Sequence, residues 1–89
     1  MHEVTCKPVT AKWHWRIDDL NRNLGEILRD SDNAYMAFPF VDEKTGIRVD
    51  TLKQAVIEIA TAVYPDLKFH RSYSVPRRRV QVFYFQRRK

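Results

Sequence analysis

Residues 67–89 hold eight bases (Lys68, Arg71, Arg77, Arg78, Arg79, Arg87, Arg88 and Lys89) and no acid, yet their side chains alternate apolar and polar as a strand does. The two properties together constrain the chain more than any other feature. Crowded like charges repel unless solvent or an anion neutralises them, while a period of two places half of the side chains against a core. Leu67, Phe69, Arg71, Tyr73 and Val75 alternate with Lys68, His70, Ser72 and Ser74. A turn at Pro76-Arg77-Arg78 leads into a last strand from Arg79 to Arg87, with Val80, Val82 and Tyr84 on one face and Gln81, Phe83 and Phe85 on the other. The two strands are predicted to form a hairpin.

The charge of the whole chain, +5, hides this segregation: residues 1–66 carry eight bases and all eleven acids, a net of −3, and residues 67–89 carry +8. Such asymmetry points to contact with nucleic acid or a membrane surface, although a basic stretch also serves simply as a solvated, solubilising surface. At 89 residues the chain is read as one domain, 1–89, because folding buries only about 60–65% of the surface at this size. A hydrophobic fraction of 44% excludes a disordered chain, and no apolar run approaches the roughly 20 residues needed to span a bilayer. The lone Cys6 excludes an internal disulfide, and the Met-His-Glu start lacks the pattern of a secretory signal, so a reducing, cytoplasmic setting is the default expectation.

Upstream of the hairpin, Trp13, Ile17, Leu20, Leu24 and Leu28 fall at helical steps, predicting an amphipathic helix over 13–28 with Asp18 and Arg22 paired on its outer face. Gly25 inside it costs about 1 kcal/mol relative to Ala, which implies close packing against a neighbour or an earlier end. Asp30-Ser31-Asp32-Asn33 stops the helix; Ala34–Val41 reads as a strand that Pro39 makes an edge or ends early. A turn over Asp42–Gly46 and a polar loop lead to Asp50 or Thr51 as the cap of a second helix, marked by Leu52, Val56, Ile59 and Val63 and ended by Pro65. Glu3–Val9 is a further strand, giving the order β-α-β-α-β-β. The expected fold is an α/β (α+β) two-layer sandwich, a small mixed sheet with two helices on one face. That order resembles those of the Alba-type chromatin proteins and the C-terminal domain of bacterial initiation factor three, without a residue motif of either family.

Basic groups interleaved with Tyr73, Phe83, Tyr84 and Phe85 suit phosphate pairing and base stacking, although core packing competes for Phe83 and Phe85. The candidate nucleic-acid-binding residues are Lys68, His70, Arg71, Tyr73, Arg77, Arg78, Arg79, Arg87, Arg88 and Lys89. The final strand is apolar on both faces, so one set is covered or forms a patch suited to a homodimer or protein partner. His2, His14, His70 and Cys6 show no metal-ligand spacing, and two glycines provide no phosphate-cradling loop; neither metal nor cofactor is expected. Two other classes remain open. In length and basic balance the chain resembles the RelE-type ribonuclease toxins, which would give Lys68, His70, Arg71, Tyr73 and Tyr84 roles in cleaving RNA without metal. A small phage or mobile-element inhibitor that binds a host protein complex would instead use exposed aromatics such as Trp13 and Trp15, which cannot both face the core from one helix. Membrane contact ranks last, as no amphipathic helix adjoins the bases. The leading expectation is a binding protein, not an enzyme, that engages phosphates with little sequence specificity.

Overall fold

Among the described residues, seven strands and one helix follow in the order β1 (His2–Thr10), β2 (His14–Asp18), β3 (Asn23–Ser31), β4 (Ala34–Pro39), β5 (Ile47–Val49), α1 (Leu52–Val63), β6 (Leu67–Val75) and β7 (Val80–Arg87). The computed structural model describes residues 1–10, 12–41 and 46–88, so the turn expected over Asp42–Gly46 lies largely outside the described residues. All strand pairs are antiparallel, in the spatial order β5-β4-β3-β2-β1-β7-β6. The sheet curls into a half-barrel, and α1 lies in its hollow against β3, β4, β5 and β6.

The two-helix sandwich is therefore corrected: the segment expected to be the first helix is the β2–β3 hairpin. Ile17 and Leu24 are buried as the helical reading requires, but from two different strands, while Leu20 is 92% exposed in the turn and Trp13 59% exposed before β2. Asp19 makes that turn, its Oδ1 accepting the backbone N–H groups of Asn21 (2.8 Å) and Arg22 (2.9 Å). Asp18 is bound by Arg16 at 2.9 Å, not by Arg22. With one helix fewer, the likeness in element order to the Alba-type proteins and the initiation-factor domain also falls away.

Gly25 does meet a neighbour closely. A Cβ there would stand 2.5 Å from the Phe38 carbonyl oxygen and 3.1 Å from Ile59 Cγ2, so its absence lets α1 settle onto the β3–β4 pair. The helix itself is as expected: the Thr51 hydroxyl accepts the Gln54 N–H at 3.1 Å, and Ala55, Val56, Ile59 and Ala60 face the sheet. Pro39 ends β4, but β4 lies between β3 and β5 and is no edge.

On the hollow face, Val4, Cys6, Ile17, Ile27, Ala37, Leu67, Phe83 and Phe85 form the core with α1. Phe83 and Phe85 are fully buried, so they pack and do not stack on a ligand; each contributes about 2–3 kcal/mol by burial. At the end of the molecule where α1 stops, the Asp19 carboxylate, only 1% exposed, binds His2 Nε2 at 3.0 Å and accepts the Tyr64 hydroxyl at 2.7 Å. This clasp joins β1, the β2–β3 turn and the end of the helix. Burial works to raise the Asp19 carboxyl, but the hydrogen bonds from Tyr64, the two backbone amides and His2 outweigh it and hold the group below its ordinary value.

Candidate nucleic-acid interface

The predicted hairpin is present, with β6 at the border of the sheet and β7 between β6 and β1. Its faces differ from the simple alternation at one point. The β6–β7 register shifts between Phe69 and Arg71, so His70 is the extra residue of a bulge, and side chains beyond it change face. Leu67 and Phe69 point into the hollow; Arg71, Tyr73 and Val75 stand opposite Tyr84, Val82 and Val80 on the outer face. The expected single face for Leu67 through Val75 is thereby corrected. The bulge, with exposed Lys68 and Arg71, also protects the open edge from pairing with another strand.

On the outer face the Tyr73 and Tyr84 rings are stacked, 5.8 Å apart and 29° from parallel, with their hydroxyls 3.3 Å apart. The Arg71 guanidinium carbon lies 5.2 Å from the centre of the Tyr84 ring. A surface contact of that kind is worth about 0.5–1 kcal/mol, enough to favour this placement of the group. The hydrogen bond with Tyr73, then burial, then nearby Glu3 push the Tyr84 hydroxyl up to about 12, so at neutral pH it stays protonated. Val82, between these groups, is buried with Tyr73 and Thr5 opposite it, which accounts for much of the second apolar face of β7.

At the tip, Arg77 and Arg78 are exposed, and the Arg78 N–H closes the turn onto the Val75 carbonyl at 3.1 Å. Among the described residues, Lys68, Arg71, Arg77, Arg78, Arg79 and Arg88 form no ion pair, whereas Arg87 is paired with Asp66. Arg88 is tied to the same residue by its backbone, N–H to the Asp66 carbonyl at 2.7 Å. Asp66 stands just before the basic stretch, so the net +8 of residues 67–89 does not include this neutralisation. Lys89 lies outside the described residues.

Arg79 turns the other way. Its φ of 55° is left-handed, as is that of Lys12 at 71°, a conformation costing a non-glycine residue about 1–2 kcal/mol. Both residues line one cleft at the open end of the hollow, where α1 begins, together with Arg29, Trp15, Gln81 and Leu52. Arg29 is fixed there by the carbonyls of Ser31 (3.2 Å) and Asp32 (3.3 Å) and lies over the Tyr35 ring, 5.9 Å from its centre. Trp15 is braced by Tyr35, ring centres 5.8 Å apart. The structure thus brings Lys12 and Arg29, which the sequence did not single out, together with Trp15, which it offered as an exposed aromatic for a protein partner. Trp13 and Trp15 are not helix neighbours: one is in a turn and the other is half-buried in β2.

Of the five residues a metal-independent ribonuclease would use, Arg71, Tyr73 and Tyr84 come together, Lys68 stands beside Gln86 in the register, and His70 is exposed at the bulge. Cys6 is buried in the core, and desolvation pushes its thiol up to about 12, leaving it no activated nucleophile. His14 Nε2 approaches Glu26 at 3.2 Å, and among the described residues no three His, Cys, Asp or Glu side chains converge to hold a metal. No helix among them is long and apolar enough to cross a membrane. No protein-family model matches the chain, and no curated protein or solved structure matches it.

Proposed function

We propose that the protein binds nucleic acid through the C-terminal hairpin, contacting phosphates with little dependence on base sequence. The observation that supports this most directly is the pairing of the arginines among the described residues: outside the hairpin three of four (Arg16, Arg29 and Arg48, but not Arg22) meet a carboxylate, while within it one of six, Arg87, does. Unpaired guanidinium groups held on a rigid ribbon are suited to phosphate, which they bind in a bidentate fork. The distance from the tip to the end of β7, eight residues, is about 25 Å at 3.3 Å per residue, long enough to follow several phosphates along a strand. Arg71 with the Tyr73–Tyr84 stack supplies a cation beside aromatic surface on the same face, an arrangement that favours single strands. Among the described residues the one helix, α1, carries a single Gln, Gln54, and no Arg or Asn with which to read base edges, so sequence-tolerant contact is the fitting mode.

The test is an electrophoretic-shift series with duplex DNA, single-stranded DNA and RNA at two salt concentrations, comparing the parent with Arg77→Ala/Arg78→Ala. Both positions are exposed turn residues whose loss leaves the sheet intact. The parent binds and the variant binds more weakly at each salt concentration; equal binding by the two proteins, or none by the parent, overturns the proposal.

A further inference from the structure

The cleft at the open end of the hollow gathers cations from three parts of the chain that lie far apart in sequence. Lys12 comes from the turn between β1 and β2, Arg29 from β3, and Arg79 from the hairpin tip. Trp15 and Gln81 lie between them, and no carboxylate lines the space. Arg29 Nη2 meets the exposed Asp32 at 3.5 Å; Lys12 and Arg79 form no ion pair among the described residues. The volume is about 270 Å³, below the roughly 300 Å³ at which pockets begin to enclose a whole small ligand. The space therefore fits a group of a larger molecule: an anion among the cations, with a flat apolar group against the Trp15 ring.

We infer that the cleft takes one phosphate of a single-stranded nucleic acid, held by Lys12, Arg29 and Arg79, with an adjoining base laid on Trp15. This rests on the hairpin reading and extends it, because Arg77 and Arg78 at the tip stand between the outer-face cluster and the cleft. A strand crossing the tip reaches both faces of the ribbon. Such a path requires a flexible backbone and an unstacked base. A duplex offers neither, since its bases are stacked inside and its body is far too wide for the cleft.

The experiment uses the full chain with Trp13→Phe, which leaves Trp15 as the sole tryptophan, and follows its fluorescence during titration with oligothymidylate, a duplex of equal length, or inorganic phosphate. Oligothymidylate is expected to quench Trp15 and the duplex to leave it unchanged, with inorganic phosphate competing only in large excess. Lys12→Asn/Arg79→Asn removes two cations with a residue that tolerates left-handed backbone. With an unchanged urea midpoint to show that it folds, this variant is expected to bind oligothymidylate at least tenfold more weakly. Binding without quenching, or equal affinity for the double variant, overturns the inference; if Arg77→Ala/Arg78→Ala still weakens binding, the hairpin reading survives without the cleft. If oligothymidylate does not bind, the inference falls; the hairpin reading falls with it only if the parent also binds neither duplex DNA nor RNA. Tight binding of inorganic phosphate that the oligonucleotide cannot displace makes this a small-anion site and also overturns the inference.

Discussion

Replacing Gly25 with Ala separates the sheet from the helix that its sequence imitates, because the two structures give opposite signs. In a helix over 13–28 the added methyl stabilises by about 1 kcal/mol, raising the melting temperature. In the half-barrel, the new Cβ meets the Phe38 carbonyl oxygen at 2.5 Å, the Pro39 Cα at 3.1 Å and Ile59 Cγ2 at 3.1 Å. Two of those atoms belong to the backbone of β4, at Phe38 and Pro39, which are paired with Glu26 and with Gly25 itself and cannot recede without disturbing the β3–β4 ladder. Overpacking of this kind costs about 1–3 kcal/mol, and the tight backbone contact places Gly25 in the upper part of that range. Reduced freedom of the unfolded chain returns up to about 1 kcal/mol, leaving a net loss of about 2 kcal/mol. With an unfolding entropy of about 2.1 cal/mol/K per residue, the 89 residues give about 0.19 kcal/mol/K, so the melting temperature falls by about 10 °C. Thermal unfolding followed by circular dichroism measures the shift. An unchanged or higher melting temperature refutes the close approach of Gly25 to the β4 backbone and to α1.

Tyr64→Phe leaves the buried Asp19 carboxylate without one of its donors and is expected to lower stability by about 1–2 kcal/mol at pH 7, read from urea unfolding. The Asp19 carboxyl is depressed in the folded state, so its contribution is full above the ordinary value of 3.8 and is lost as pH falls toward the lower folded value. Asp19→Asn should therefore lose stability at pH 7 and show a smaller further loss on acidification than the parent. The Cys6 thiol, buried and pushed up to about 12, is expected to resist a disulfide-exchange reagent at pH 8 in the folded protein and to react fully in denaturant. Rapid labelling without denaturant contradicts its place in the core.

The hairpin and its turn, the capped second helix and the N-terminal strand were legible because each carries a local signal: alternation in Val80–Phe85, a Thr cap before Leu52, Pro65 after the helix. The β2–β3 hairpin was not, because the turn from Asp19 to Arg22 places Ile17 and Leu24 seven residues apart, two helical turns. The contrary signals were the aromatic and β-branched Trp13–Ile17 run, the turn-forming Asp-Leu-Asn-Arg-Asn, and Gly25. His70 gave no warning of its bulge, since a bulge is defined by the partner strand. Counting charge along the chain located the hairpin bases but could not place Lys12 and Arg29 beside Arg79 or Asp66 beside Arg87. Those neighbours meet only through the sheet.

The central claim, that unpaired hairpin cations bind nucleic acid by neutralising phosphates, is tested most directly by the salt dependence of single-strand affinity. Fluorescence anisotropy with a labelled oligonucleotide of about 20 nucleotides gives log K against log salt. If about four of the unpaired bases meet phosphates, the slope is about −3, and Arg77→Ala/Arg78→Ala makes it shallower by about 1.4. A slope near zero, or one that the double substitution leaves unchanged, contradicts the account.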